Sequence, residues 1–403
     1  MKIVFLAPFG IRPKGTLLAR MLPLAVALQA AGHSVTIIAP PYTNPEDAGL
    51  TEVVQGVRLV NVKLGPGGKA LSTLPVSLRM LRTALSEKPD VIHLFKPKGY
   101  GGIAAMLMIA LKHAGIKMPP VFLDTDDWEG SGGMNALHDY SQLEKRVYAF
   151  QEQWLLKHAG GVTIASRELE KLAAETGTAQ SKLIYLPNCV EPHSTSNGSA
   201  ARSRLGIPLE APLLLLYTRF FEFSQDRLHR LLSDIHRQMP QARFLIVGAG
   251  RNNEEQQLQQ AAASMGFNEN LTMAGWTEPE LLQDLLAAAD LAIYPFDDTL
   301  TNRTKCPAKL TELLSNGIPV VASRVGQIPE YLCPPMRAYL SQPEDAETMA
   351  RHCVELLGNR DKCRELGRAG REYIREQFRW RDYAKKLEQF YLQIEHGKGG
   401  LDG

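Results

Sequence analysis

The sequence predicts an α/β protein made of two doubly wound, Rossmann-like domains facing a central cleft. Three observations carry that reading. First, short apolar runs bounded by turn residues recur at 2–7 (KIVFLA), 34–39 (SVTIIA), 91–95 (VIHLF), 213–217 (LLLLY), 242–247 (ARFLIV) and 318–322 (IPVVA). Their length and their β-branched content suit buried parallel strands. Second, segments of helical spacing lie between them, which makes βαβ units with right-handed crossovers. Third, 403 residues are too many for one core, and the alternation restarts after a stretch rich in Ser, Pro and Gly at 191–208. The expected division is a first domain over 1–190, a linker over 191–208, a second domain over 209–375, and a final helix and tail over 376–403 that packs back on the first domain.

The elements follow in order. After the strand at 2–7 comes the loop PFGIRPKGT and an apolar helix ending at Gly32. Thr16 is a candidate N-cap, and Pro23 either kinks this helix or marks its true start. Gly15 in the loop would let backbone approach a ligand closely. Residues 53–64 alternate as a hairpin pair. An amphipathic helix is expected after Pro75, with Leu78, Leu81 and Leu85 on one side and Arg79 and Arg82 on another. Lys96 and Lys98 stand among glycines just beyond the strand at 91–95, where open α/β sheets bind ligands. With Lys14 they are candidates for an acceptor or phosphate site. After the strand at 121–123, DTDDWEGSGG places Asp124, Asp126, Asp127 and Glu129 within six residues. Such a cluster reads as a divalent-metal site, as a general base or hydroxyl-binding group, or as an acidic capping loop.

The stretch KCPAKLTELLSNGIPVVASRVG at 305–326 is the most informative. Pro307 suits a helix start, Leu310, Leu313 and Leu314 form an apolar stripe, and Asn316 and Gly317 close the helix. Lys309 and Glu312 lie three residues apart on its surface. A lysine on the first turns of a helix makes an anion site, and a carboxylate further along can accept bonds from sugar hydroxyls.

Composition sets further bounds. Net charge is +2, but residues 1–120 carry 14 Lys/Arg against 5 Asp/Glu, a balance of +9. This points to an anionic partner on that side, either a phosphate-bearing ligand or an anionic membrane surface. No nucleic-acid motif accompanies it. The five cysteines are scattered without a CxxC pair, which reads as reduced thiols and no metal site. No apolar run reaches membrane-spanning length, and the N-terminus reads as a strand and not as a signal peptide. The expected location is cytoplasmic, peripheral on the inner face of the membrane.

The chain resembles a GT-B glycosyltransferase, most similar to glycosyltransferase family 4. The resemblance rests on KIVFLAPFG, LPLAVALQAAGHSVTII, PDVIHL, LPNCV, LLYTR, FLIVGAG, LAAADLAIYPF and KLTELLSNGIPVVAS with Gly326 and Glu330 after it. It implies retaining transfer from a nucleoside diphosphate sugar, held by the second domain, to a glycan or lipid-linked glycan acceptor held by the first. No cofactor is implied, because the fold generally works without a bound metal. Glu312 matches the second acid of the family's paired-glutamate motif, which binds the ribose. Thr304 stands where the first acid would be, so Asn302, Arg303 and Thr304 become candidates for sugar contacts. Arg219 matches the arginine on the diphosphate; Ser224 replaces its lysine partner, leaving Lys305 and Lys309, with Arg227 behind them, to supply the charge. Gly15 matches the glycine beside the donor phosphates. Asp126 or Asp127 occupies the place where many relatives carry histidine. A GT-B epimerase and a non-catalytic binding partner are the alternative readings.

Overall fold

The structure is a computed structural model that describes residues 1–10, 17–65, 69–190 and 197–396. Lys14, Gly15 and Thr16 lie outside the described residues. The chain clusters into two compact units. One comprises Met1–Asn188, Thr304–Cys306 and Trp380–Gly403; the other comprises Cys189–Arg303 and Pro307–Arg379.

The first unit is built on a sheet of β1 (Lys2–Leu6), β2 (Ser34–Ala39), β3 (Thr51–Val54), β4 (Val57–Asn61), β5 (Val91–Phe95), β6 (Val121–Thr125), β7 (Gly161–Ile164) and β8 (Leu183–Tyr185), in the order β3-β4-β2-β1-β5-β6-β7-β8. All neighbours pair in parallel except the β3–β4 hairpin. Its turn, Gln55–Gly56, has positive φ at both residues (49° and 81°), as a tight hairpin of this twist requires. Central strands β5 and β6 are buried throughout, which is why they read as continuous apolar runs and not as alternating ones.

Three details depart from the sequence reading or resolve it. A π-turn, Leu17–Met21, precedes the α-helix Leu22–Ala30, with Pro23 in its first turn. Pro23 therefore starts the α-helix, where its missing N–H costs nothing. The helix expected after Pro75 instead runs Lys69–Ser86 and holds Pro75 inside. The Ser77 hydroxyl serves the Thr73 carbonyl at 2.8 Å, and fully buried Val76, Met80 and Ala84 anchor the helix, so packing outweighs the proline penalty. The final helix, Trp380–His396, belongs to the first unit. Its Tyr391 hydroxyl lies 2.6 Å from His93 Nδ1, and Phe390 fills the space where a Cβ on Gly161 would come within 2.7 Å.

The second unit carries β9 (Leu213–Tyr217), β10 (Arg243–Val247), β11 (Leu271–Gly275), β12 (Leu291–Tyr294), β13 (Val320–Ser323) and β14 (Leu340–Ser341), in the order β11-β10-β9-β12-β13-β14, all parallel. Relative to its own first strand this is 3-2-1-4-5-6, the doubly wound order. Part of the stretch expected as a linker is folded. Residues Gly198–Arg204 form a helix capped by Asn197. Buried Arg202 donates to the carbonyls of Ala288 and Ala211 and pairs with Asp290 at 2.7 Å.

Gly248, at the end of β10, has φ +120°, and a Cβ there would meet the Thr218 carbonyl oxygen at 1.9 Å. Both strain and collision oppose any side chain. Gly248→Ala is expected to destabilise the second unit by about 2 kcal/mol, read as a lowered melting temperature by calorimetry. An unchanged Tm would refute the tight β9–β10 approach.

Candidate functional site

The two sheets each offer one topological switch point, where strand order reverses and loops diverge to leave a crevice. In the first sheet it lies between β1 and β5, in the second between β9 and β12.

At the first, the chain leaves β5 through Lys96 in the left-handed region (φ 62°), an uncommon conformation for a side chain of this size. The ammonium explains it. Lys96 Nζ sits 2.7 Å from Asp126 Oδ1, 2.7 Å from Asp127 Oδ2 and 3.3 Å from Glu129 Oε1, and Lys98 Nζ is 2.6 Å from Glu129 Oε2. Burial alone would lower the Lys96 pKa, but the three carboxylates hold it well above its ordinary value. Burial pushes the Asp126 carboxyl up to about 6, with Lys96 opposing and Asp127 adding to the rise. The crowded acids thus converge on an ammonium, which occupies the position a bound cation would take. An incoming anion would have to compete with these carboxylates for Lys96 and Lys98.

The fourth acid is separate. Asp124 is fully buried and takes a bidentate bond from Arg20, Nε to Oδ2 at 2.8 Å and Nη2 to Oδ1 at 2.6 Å. Thr163 donates to the same carboxylate. Arg20 also donates to the Leu186 carbonyl and to Asn188 Oδ1. Asn188 in turn holds Cys306 by its backbone carbonyl at 2.7 Å, and Ser166 holds the Thr304 carbonyl at 2.7 Å.

Several contributors are not evident from the sequence. Glu152, on the helix Gln142–His158, is fully buried and its Oε1 accepts the Glu129 N–H at 3.0 Å. Burial pushes its carboxyl up to about 8, so it is a neutral acid supporting the acidic loop. Its one sequence signal is an acid on an otherwise apolar helix face beside Leu155 and Leu156. Four tyrosines gather beside Lys98 and Glu129. Tyr42 meets Tyr100 edge-on at 5.5 Å, Tyr140 meets Tyr148 at 5.1 Å, and Lys98 lies 5.8 Å from the Tyr140 ring centroid. They come from four separate loops and helices, so no local pattern announces them.

The second switch point carries Lys309 and Glu312. Pro307 is the extended N-cap of the helix Ala308–Ser315, whose other end is closed by Gly317 at φ 73°. Leu310, Leu313 and Leu314 are fully buried, which fixes the two polar residues toward the end of β9. Lys309 Nζ stands 3.3 Å from the centroid of the Tyr217 ring, and the Tyr217 hydroxyl bonds to the Glu312 carboxylate. Burial raises the Glu312 pKa, opposed by Lys309 and by that bond. Glu312 Oε2 is enclosed and has no hydrogen-bond partner among the described residues, a costly arrangement unless a ligand supplies a donor. Beside it lies a small pocket lined by Thr218, Glu222, Tyr294, Phe296 and Lys309 among others. Phe220, fully buried at φ 67°, turns the chain beyond β9.

Arg219 is half exposed, 4.0 Å from Glu222 Oε1 and 5.1 Å from the Phe221 ring. Ser224 is the N-cap of the helix Gln225–Gln238. Arg227 donates to the Pro295 carbonyl and pairs with Asp297. Asn302 gives its amide hydrogens to the carbonyls of Glu222 and Asp297, at 2.7 and 2.9 Å, which ties two strand-end loops together. Arg303 pairs with Asp298 at 2.9 Å. Thr304 and Lys305 are buried and cluster with the first unit. The second unit therefore brings together Arg219, Lys309 and Glu312, and the first brings together Lys96, Lys98, Asp126 and Asp127.

Glu152 provides a pH test. A carboxyl whose pKa rises on folding stabilises the fold least once pH exceeds that raised value. Its stabilisation is intact below about 4.3, the unfolded value, and is lost as pH rises toward about 8. Glu152→Gln removes the titration. The Tm of the variant relative to the parent is expected to climb from pH 5 to pH 8; a constant difference across that range would contradict the assignment.

Residues 15–189 match the family model "Glycosyl transferase 4-like domain" and residues 211–359 match "Glycosyl transferases group 1". A relative, the GDP-mannose-dependent alpha-(1-6)-phosphatidylinositol monomannoside mannosyltransferase of Mycobacterium tuberculosis, is 29% identical over 242 residues, which is 56% of this chain and 60% of that protein. The match thus spans about three fifths of that relative's length. Among solved structures, the sucrose-phosphate synthase of Thermosynechococcus elongatus is 19% identical with a TM-score of 0.75, covering 98% of this chain and 100% of that one. Anabaena HepE in complex with UDP-glucose is 18% identical with a TM-score of 0.68, covering 100% of both. These structures share the fold. With both family models matched across most of its length and two Rossmann-like units in the required order, the chain belongs to the group 1 glycosyltransferases of GT-B fold.

Proposed function

We propose that the protein transfers a sugar from a nucleoside diphosphate sugar to a hydroxyl of a glycan or lipid-linked glycan, with retention of configuration. The observation that carries this reading is the enclosed, unpartnered Oε2 of Glu312 beside Lys309, Tyr217 and the strand-end pocket. A ribose hydroxyl supplies the missing donor. Lys309, on the first turn of its helix, and the half-exposed Arg219 take the diphosphate. Negative charge grows there as the sugar–oxygen bond breaks, so fixed cations stabilise the departing group most in the transition state. The acceptor oxygen attacks the anomeric carbon on the face that the diphosphate leaves. Its proton passes to a phosphate oxygen of the leaving group, and no protein nucleophile is required.

The first unit then holds the acceptor. The tyrosines beside Lys98 offer ring faces and hydroxyls suited to a sugar ring. Asp126 and Asp127, oriented by Lys96, are placed to accept bonds from its hydroxyls. The mycobacterial relative is named for a GDP-mannose donor and a phosphatidylinositol mannoside acceptor, and the Anabaena structure contains UDP-glucose. Both relatives support a nucleotide-sugar donor here, with base and sugar to be assigned by binding.

A lipid-linked acceptor requires the protein to reach a membrane surface. Among the described residues no helix is long and apolar enough to cross one. The helix Gln142–His158 nevertheless exposes Leu143, Val147 and Phe150 at spacing i, i+4 and i+7, with fractional exposures of 72%, 39% and 57%. Arg146 flanks this ridge, and the opposite face carries Glu152 and Tyr148 at the acidic loop. An apolar ridge beside an arginine suits shallow insertion into an anionic interface.

Two measurements test the proposal. Arg219→Ala is expected to lower kcat/KM by about 10²–10³-fold with a cognate donor; full activity would overturn the diphosphate assignment. In a thermal-shift panel of nucleoside diphosphates, one base should raise the Tm of the parent, and Glu312→Ala should abolish that rise. For the membrane surface, Leu143→Glu with Phe150→Glu is expected to abolish co-sedimentation with anionic vesicles while leaving nucleotide binding intact. Unaltered sedimentation would exclude the ridge.

A further inference from the structure

Another cleft in the second unit lies apart from the strand-end pocket. It encloses about 600 Å³ and is lined by Asn316, Gly317, Asp361, Arg364, Arg368 and Arg371. We propose that this cleft is a second anion site, binding a small phosphate-bearing ligand apart from the nucleotide pocket.

The helix Arg360–Gln377 places Arg364, Arg368 and Arg371 at i, i+4 and i+7, hence on one face. All three are exposed. Among the described residues Arg364 reaches only Asp361, at 3.4 Å, and both of those side chains are largely solvated, so that pair neutralises little. Arg368 and Arg371 have no ion pair or hydrogen bond among the described residues. Like charges at this spacing repel on a helix surface. The surrounding structure offers one partial explanation: the C-terminus of the helix Ala308–Ser315 abuts this face and carries a partial negative charge. Arg375 already serves it, with Nη2 3.5 Å from the Ser315 carbonyl. The three remaining guanidinium groups exceed what one helix end requires. Planar forks converging on a cleft of ligand size match phosphate oxygens.

The cleft lies at the far end of a helix that also bears the nucleotide contacts. Lys309 stands on its first turn and Glu312 in its middle, whereas Gly317 follows its C-terminus and leads into the start of β13. The crossing is close: a Cβ on Gly367 would meet the Gly317 carbonyl oxygen at 2.0 Å. The arginine face is therefore locked to the helix that carries Lys309.

Calorimetric titration of the full chain with inorganic pyrophosphate at low ionic strength tests the site. Three variants are compared: R368E/R371E, the charge-preserving R368K/R371K, and R219A/K309A. The expected result is two pyrophosphate sites in the parent: one lost in R219A/K309A, and one that persists in that variant but is weakened about tenfold or more in R368E/R371E and partly restored in R368K/R371K. Loss of all binding in R219A/K309A, with R368E/R371E unchanged, would put pyrophosphate in the strand-end pocket alone and overturn the proposal, as would no binding to the parent. Vesicles containing phosphatidylglycerol form the other arm. If R368E/R371E loses vesicle binding while the parent binds no pyrophosphate, the face reads a lipid surface and the small-ligand assignment fails. Titrations of UDP and GDP on the same proteins report separately on the nucleotide pocket, so failure of one reading is distinguishable from failure of the other.

Discussion

The buried Arg20–Asp124 pair is the constraint on which the first unit depends. Both side chains are about 1% exposed, and an arginine cannot shed its charge by titration. Once buried, its donors must be met, and four of the five are: two by Asp124, one by the Leu186 carbonyl and one by Asn188. These partners come from the end of β6 and the exit of β8, while Arg20 itself comes from the π-turn after β1. Asn188 then carries the network to Cys306. Removing one member would leave an uncompensated buried charge, which typically costs about 3–5 kcal/mol. The pair thus fixes where three strand ends stop and where the 304–306 segment rests, and so where the acidic loop begins.

From that anchor the two switch points solve a common problem differently. Each sends the chain out of a central strand through a non-glycine residue at positive φ, Lys96 after β5 and Phe220 after β9. Such strain persists only where surroundings over-determine it. At Lys96 the determinants are electrostatic, three carboxylates on one ammonium. At Phe220 they are steric: the ring is fully buried, 6.3 Å from that of Phe223. The first crevice is consequently self-neutralised. The second keeps an enclosed carboxylate oxygen without a partner among the described residues, and that difference makes it the better candidate for recognising a nucleotide.

Strands and the doubly wound order were legible because they follow from local periodicity and from the rule that βαβ crossovers keep one hand. Lys309 and Glu312 were legible because Pro307, the leucine stripe and Gly317 define a helix and its faces without outside help. What stayed hidden is set by tertiary contact. Nothing around Pro75 signals that Val76, Met80 and Ala84 would hold a helix through it. Nothing local to Thr304 or Lys305 says that Ser166 and Asn188 would draw 304–306 into the first unit. The sequence reading could place four acids together beyond β6, but it could not reveal that Lys96 points into their midst, because β5 and β6 are joined only in the sheet.

The charge balance of the first 120 residues takes a different meaning in this light. Their excess of positive charge suggested a basic site, yet the basic residues nearest the crevice are the ones already answered: Arg20 by Asp124, Lys96 and Lys98 by the acidic loop. The acids that answer them lie beyond residue 120, outside the window that looks so basic. The surplus therefore resides on exposed positions such as Lys63, Arg82, Lys88 and Lys117. Dispersed charge of this kind attracts an anionic surface over about a Debye length without defining a pose. On the proposed membrane reading, orientation comes from the apolar ridge of Leu143, Val147 and Phe150, on the helix whose opposite face carries Glu152. That reading divides attraction and orientation between diffuse charge and a single helix face, while the concentrated charge of the crevice holds the loop that lines it.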